Sequence, residues 1–215
     1  MMKKMLDTPP LISLACLLLL LLLSCAAAQS PIFDMKGDEL ETGVQYRIRS
    51  ATWGIREGDL TADNLDTCPL NVVLANSGPG LPVTFHLPDA SKEASRPVLT
   101  STNLNIQFVT ASAGSSCNDG GVWAARIDPI LGAFLVSTGG ELGALISTFQ
   151  IKPQGAFHKL VYCVVGLCKD LTILDGQRLG TTFDPLGSHK PLIVIFERVQ
   201  ADDDATIKIK MPTDE

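Results

Sequence analysis

From Ile32 onward the apolar residues of this chain come in short runs, many of them alternating with polar residues, and the runs are broken by Gly, Pro, Asn and Asp. Alternation with a period of two puts successive side chains on opposite faces of an extended backbone, the pattern of a half-buried strand. It predicts strands at Tyr46-Arg47-Ile48, Asn71–Leu74, Pro82–Leu87, Leu104–Thr110, Val122–Ile127, Ala133–Ser137, Leu145–Lys152, Lys159–Val165, Leu171–Leu174 and Leu192–Arg198. No long stretch of helical period interrupts them. Many short strands in a chain of this length favour an all-β barrel or sandwich over an α/β fold. Periodicity does not choose between the two, and a recurring strand pair followed by a long loop is too degenerate to establish a threefold repeat.

The first thirty residues follow a different pattern. Lys3 and Lys4 precede an apolar run from Leu11 to Leu23, which is followed by Ser24, Cys25 and Ala26-Ala27-Ala28. A basic start, a short apolar segment and small residues at the cut describe a secretory signal peptide; the run is too short to cross a hydrocarbon core of about 30 Å and carries no basic stop after it. We expect cleavage after Ala28, so that residues 1–28 are lost, 29–199 form one domain, and the acidic stretch 200–215, with Asp202-Asp203-Asp204, is a flexible tail. The product is expected in the secretory pathway, extracellular or vacuolar, and free of the membrane. Loss of Lys3, Lys4 and Asp7 moves the formal charge from −6 to −7. Excess negative charge argues against nucleic acid as a partner.

Cys16 and Cys25 leave with the signal, and Cys68, Cys117, Cys163 and Cys168 remain. An even number in an oxidising compartment reads as two disulfides with three possible pairings. Cys163 and Cys168 are close enough in sequence to close a small loop, which makes 68–117 with 163–168 the natural choice without excluding the others. A zinc site would want two close-spaced pairs, and only one is present.

Little else suggests chemistry. His86, His158 and His189 are scattered, with no paired histidines at helical spacing for a metal. The chain has no nucleophile elbow of the Gly-x-Ser-x-Gly type, and Ser115 and Ser116 lie in a turn-like stretch beside Cys117. Gly139, Gly140 and Gly143 are not followed by Lys-Ser/Thr and read as a hairpin turn. No Asn-x-Ser/Thr sequon occurs. We expect no enzyme, no metal and no cofactor.

Several stretches, taken in order, carry a resemblance. Ile32-Phe33-Asp34-Met35-Lys36-Gly37-Asp38-Glu39-Leu40, then Gly43 and Tyr46-Arg47-Ile48, follow the spacing D-x-x-G-x-x-L-x-x-G-x-x-Y-x-I. Cys68-Pro69-Leu70, Gly80–Phe85, Leu104–Phe108, Trp123, His158–Cys163 and Lys190–Phe196 come next. Together they resemble the plant Kunitz inhibitor family of the soybean-trypsin-inhibitor type over nearly all of residues 32–199. The resemblance implies a β-trefoil of twelve strands in three pseudo-repeats, with disulfides Cys68–Cys117 and Cys163–Cys168; a monomer is expected. With four residues between its cysteines, the second loop is shorter here than in many relatives.

The resemblance also implies a mechanism: an exposed loop, already in the extended shape that a protease grips, docks with little loss of entropy. That loop corresponds to Pro88–Thr102, PDASKEASRPVLTST, and its reactive candidates are Lys92, Glu93, Ala94, Ser95 and Arg96. Counting back from Asn105–Phe108 points to Ala94-Ser95, with Lys92-Glu93 and Ser95-Arg96 also in range. Arg96 would suit trypsin but is followed by Pro97, and Ala94 would suit a small apolar specificity pocket. Where inhibitory relatives carry a loop-supporting Asn, this chain has Thr42, whose single hydroxyl donor cannot bridge two carbonyls as an amide can. Thr42 is therefore a loop-support candidate to be weighed against a plain turn residue. Serine endopeptidases are the expected partners; the alternatives within the family are a storage protein, an inhibitor of cysteine or aspartic proteases, or a chlorophyll-binding protein.

Overall fold

A computed structural model describes residues 29–51, 58–63, 68–89, 95–109, 117, 119–182 and 189–200. The expected signal peptide, the acidic tail beyond residue 200, and Lys92, Glu93 and Ala94 of the loop lie outside the described residues. The described residues form thirteen strands: β1 (Gln45–Ser50), β2 (Leu60–Ala62), β3 (Val72–Leu74), β4 (Val83–His86), β5 (Asn105–Phe108), β6 (Ala124–Asp128) and β7 (Ala133–Ser137), followed by β8 (Phe149–Gln154), β9 (Phe157–Val164), β10 (Leu167–Asp170), β11 (Thr172–Leu174), β12 (Arg178–Thr182) and β13 (Ile193–Arg198).

Six of these close a barrel. β1 lies between β13 and β4, β4 pairs with β5, β8 pairs with β9 and β9 with β13, all antiparallel. The bridge Leu104↔Phe149 joins β5 to β8 and completes the ring. The period-two pattern is visible strand by strand: on β1, Tyr46, Ile48 and Ser50 point inward while Gln45, Arg47 and Arg49 are half-buried. Val83, Phe85, Ile106, Phe108, Phe149, Ile151, Leu160, Val194 and Phe196 fill the interior with Tyr46 and Ile48. Burying each large side chain is worth about 1.5–3 kcal/mol. The rings interlock, Phe85 standing edge-on to Phe196 at 5.7 Å and Trp123 edge-on to Phe149 at 6.1 Å, the offset geometry that aromatic quadrupoles favour.

Three hairpins close one end of the barrel: β2–β3, β6–β7 and β11–β12. Their inner members meet pairwise, β3 with β12, β12 with β7, and β3 with β7 through the bridge Asn71↔Ser137. This triangle is the threefold arrangement that the sequence alone was too degenerate to reveal. The count of thirteen instead of twelve comes from one strand that changes partners. Residues 167–170 pair with β9 and residues 172–174 with β12, while Leu171 between them donates its N–H to Leu160 and accepts from Leu192.

Two expectations are corrected. Leu145–Lys152 is not one strand, because Leu145–Ser147 forms a 3-10 turn and β8 begins only at Phe149. Gly139, Gly140 and Gly143 do not make a hairpin turn; they lie in the connection that carries the chain from the cap at β7 to the barrel at β8.

Both disulfides are formed, Cys68–Cys117 and Cys163–Cys168. Four residues suffice for the second because Cys163 and Cys168 stand directly opposite each other across β9 and β10. The two-residue turn between the strands, Val165-Gly166, has φ of 47° and 79°, positive at both positions as a type I′ hairpin requires.

Candidate functional site

The expected loop leaves β4 at His86 and returns to β5 at Asn105, and its return half is tied down residue by residue. Residues 30–42, ahead of the first strand, fold back on themselves as two arms. Leu40 donates its N–H to the Ile32 carbonyl (2.7 Å), and Phe33 bridges Glu39. Asp34 makes the bend: its buried Oδ1 accepts from the N–H of Lys36 (2.8 Å) and of Asp38 (3.1 Å), while Gly37 takes a φ of 87° that a side chain would resist. That geometry gives the physical content of the Asp-x-x-Gly spacing in the sequence.

Loop residues 95–100 run between the two arms and bond to both. Val98 donates to the Leu40 carbonyl (2.7 Å) and accepts from Ile32 N–H (3.1 Å), and Thr100 donates to Ser30 (2.8 Å). Ile32, Leu40 and Val98 are buried and anchor the three strips in the core. Ser95, Arg96 and Pro97, by contrast, are exposed, as is Asp89 on the outgoing side. The loop is thus fixed along one edge and open to solvent where its reactive candidates begin.

Thr42 touches this loop directly. Its Oγ1 accepts the Arg96 N–H at 3.0 Å, and its own N–H donates to the Arg96 carbonyl at 2.9 Å. The hydroxyl therefore works as an acceptor for a loop amide, a mode that reasoning about donated bonds to carbonyls does not reach. Ser95 and Arg96, the two reactive candidates among the described residues, both bond to Thr42.

Further residues belong to the site. The Ser95 hydroxyl donates to Glu41 Oε2 at 2.7 Å and lies 3.2 Å from the Thr42 carbonyl. Glu41 Oε1 accepts from Arg198 Nη2 at 3.0 Å, and the same nitrogen reaches the Glu39 carbonyl and the Tyr46 hydroxyl, each at 3.1 Å. Tyr46 Oη also accepts the Glu41 N–H at 3.0 Å. Asp34 Oδ2 lies 3.7 Å from Arg198 Nε. The Ser95 hydroxyl, then the Arg198 guanidinium, hold the Glu41 carboxyl below the usual carboxylate range, and burial pushes the Tyr46 phenol up. Glu41 was visible in sequence only as the neighbour of Thr42, and Arg198, 157 positions away, gave no local signal.

Among the described residues, no three His, Cys, Asp or Glu side chains converge as a metal site would need. The site consists of a braced, solvent-facing segment of backbone on a cross-linked β-trefoil.

The family model described as trypsin and protease inhibitor, of the legume Kunitz type, matches residues 32–198, and the chain belongs to that family. It is 31% identical over 201 residues to the alpha-amylase/subtilisin inhibitor of Oryza sativa subsp. japonica, covering 89% of this chain and 94% of the relative. Serine protease inhibitor 7 of Solanum tuberosum is 34% identical over 146 residues, 63% of this chain and 65% of that one. Among solved structures, the trypsin inhibitor CrataBL from Crataeva tapia superposes with a TM-score of 0.60 at 30% identity, over 75% of this chain and 99% of its own.

Proposed function

We propose that this protein inhibits serine endopeptidases by presenting the stretch around Ala94-Ser95 as a substrate-like loop, and that it has no catalytic activity of its own. One observation carries the reading: residues 95–100 are hydrogen-bonded on both sides by the arms 30–42 while Ser95, Arg96 and Pro97 remain exposed. A segment so held loses little freedom when an enzyme grips it. After cleavage, the same bonds keep the new end beside the acyl group, so that religation competes with release.

The geometry favours a scissile bond ahead of Ser95 over one at Arg96. The Arg96 carbonyl already accepts the Thr42 N–H, and Pro97 follows it; a carbonyl so engaged is not free for a protease oxyanion hole. Ala94 at the specificity position suits an enzyme with a small apolar pocket, of the elastase or subtilisin kind. The rice relative, named as a subtilisin inhibitor, supports that choice. Entry into the secretory pathway fits the two disulfides, which persist in oxidising compartments.

Incubation of residues 29–215 with subtilisin, elastase, chymotrypsin, trypsin and papain in turn tests the proposal. Subtilisin or elastase should be inhibited at micromolar concentration, and peptide mapping after slow cleavage should find the cut between Ala94 and Ser95. Inhibition of none of the serine enzymes, or a cut outside residues 88–102, would overturn it. Replacing Ala94 by Lys should move the preference toward trypsin.

A further inference from the structure

Glu41 stands where the loop, the arms and the last strand meet. Its main-chain N–H is bonded to Tyr46 Oη, its Oε1 to Arg198 Nη2 and its Oε2 to the Ser95 hydroxyl. Arg198, at the end of β13, is itself fixed by the Glu39 carbonyl and by Tyr46, over whose ring its guanidinium lies at 5.6 Å. Glu41 is therefore fixed at its main-chain N–H and at Oε1 before Oε2 reaches the loop, and its bond to Ser95, at 2.7 Å, is short and charge-assisted.

The residue it holds is the one that matters after cleavage. When a serine protease acylates itself on the Ala94 carbonyl, the Ala94–Ser95 C–N bond breaks. The proton taken from the enzyme's serine passes through its histidine to the Ser95 nitrogen, which becomes a free amine. Religation is the reverse: that amine attacks the acyl carbon and expels the enzyme's serine. It wins over water only while the amine stays within reach, since a positioned reactant acts at an effective concentration far above that of a free one. The main-chain bonds to the arms begin at Arg96. Among the described residues, the bonds that hold Ser95 itself run through its side chain, to Glu41 and the Thr42 carbonyl.

We infer that Glu41, oriented by Arg198 and Tyr46, is a positioning residue that retains the leaving-group side of the reactive loop and so sets how long the inhibitor survives on its target. The inference rests on the inhibitory reading above. It involves no contact between Glu41 and the protease, only the bond to Ser95.

The test compares the wild type with Glu41→Gln, Ser95→Ala and the double variant. A Gln carries no charge, so whichever way its amide turns, the charge-assisted bonds that the carboxylate makes to Ser95 and Arg198 are lost. With subtilisin in slight deficit, Glu41→Gln should be consumed as a substrate about tenfold faster than the wild type, with a smaller change in the initial inhibition constant. Ser95→Ala should behave alike, and the double variant should be no worse than Ser95→Ala, because both remove one bond. A wild-type lifetime for Glu41→Gln, or additive losses in the double variant, would overturn the inference. Hydrogen exchange on the free protein gives a second readout: the Arg96 amide should exchange about tenfold faster in Glu41→Gln, with an unchanged thermal midpoint. If the wild type inhibits no serine protease, the functional reading fails while exchange at Arg96 still decides whether Glu41 holds the loop; unchanged exchange there would refute it.

Discussion

Val165 occupies a left-handed conformation, φ 47°, that a β-branched residue tolerates poorly, and it is exposed, so nothing in the core is gained by its being there. Replacing it with Asn, which together with Gly166 makes the favoured type I′ pair, should stabilise the protein by about 1 kcal/mol, raising Tm by roughly 2–4 °C in a thermal melt. No local pattern in Cys163-Val164-Val165-Gly166-Leu167-Cys168 announces that strain, because the register that imposes it is set by pairing across β9 and β10. The same limit governed the site. The Gly37 and Gly43 turns could be read from spacing, and Thr42 could be matched to the loop. Glu41, Tyr46 and Arg198 become one group only when the end of the chain pairs beside its beginning, as β13 does with β1. What Thr42 does for the loop was likewise hidden, since a hydroxyl accepts as readily as it donates and only coordinates decide which.

At the scale of elements, alternation located most of the barrel strands because each has one wet face and one dry face. It was weakest in the cap, where β2 and β3 are three residues long and β12 carries Gly180. That glycine is there for space. A Cβ on it would lie 2.5 Å from the Phe134 carbonyl and 2.8 Å from Leu174 Cδ1. Gly180→Ala should therefore push β12 away from β7 and cost about 2 kcal/mol, a Tm lower by roughly 4–8 °C. The apolar run at 145–152 misled for a related reason: Leu145 and Ile146 are exposed, so hydrophobicity there does not signal a buried strand.

Strand pairing also fixes a pH response. His158 on β9 faces Val194 and Pro153 in register and packs on the Phe196 ring at 5.9 Å; His86 on β4 faces Asn105, with its Nε2 2.9 Å from the Thr84 hydroxyl. Burial pushes both imidazoles below their ordinary value of 6.5. Between that value and the lowered one the unfolded chain binds protons that the folded protein refuses. Their contribution to stability is therefore complete above about pH 6.5 and is lost as the pH falls through the window. Denaturant midpoints should drop between about pH 7.5 and about pH 5.5, and His158→Leu should shrink that drop.

For the whole molecule, fold class was legible from many short strands, whereas threefold symmetry was not. It resides in the way β3, β7 and β12 meet, which demands similar backbone paths and leaves the side chains free to diverge. The cysteine pairing followed from the resemblance and from the short 163–168 spacing. Cys68–Cys117 spans 49 positions and ties the connection between β2 and β3 to the one between β5 and β6. By the chain-entropy estimate, replacing both cysteines by Ser should cost about 4 kcal/mol, a Tm lower by roughly 8–16 °C, and replacing Cys163 and Cys168 about half as much. Calorimetry on the two double variants would check the order.

The folded-back arms have an outcome for the life of the protein. Were the chain cut after Ala28, the first hydrogen bond to the loop, from the Ser30 N–H to Thr100 Oγ1, would lie two residues from the new amino end. An aminopeptidase nibbling inward would reach Ile32 and its seat in the core within a few steps. On that reading the brace of the loop, and not the cross-linked barrel, is the part within reach of trimming from the amino end.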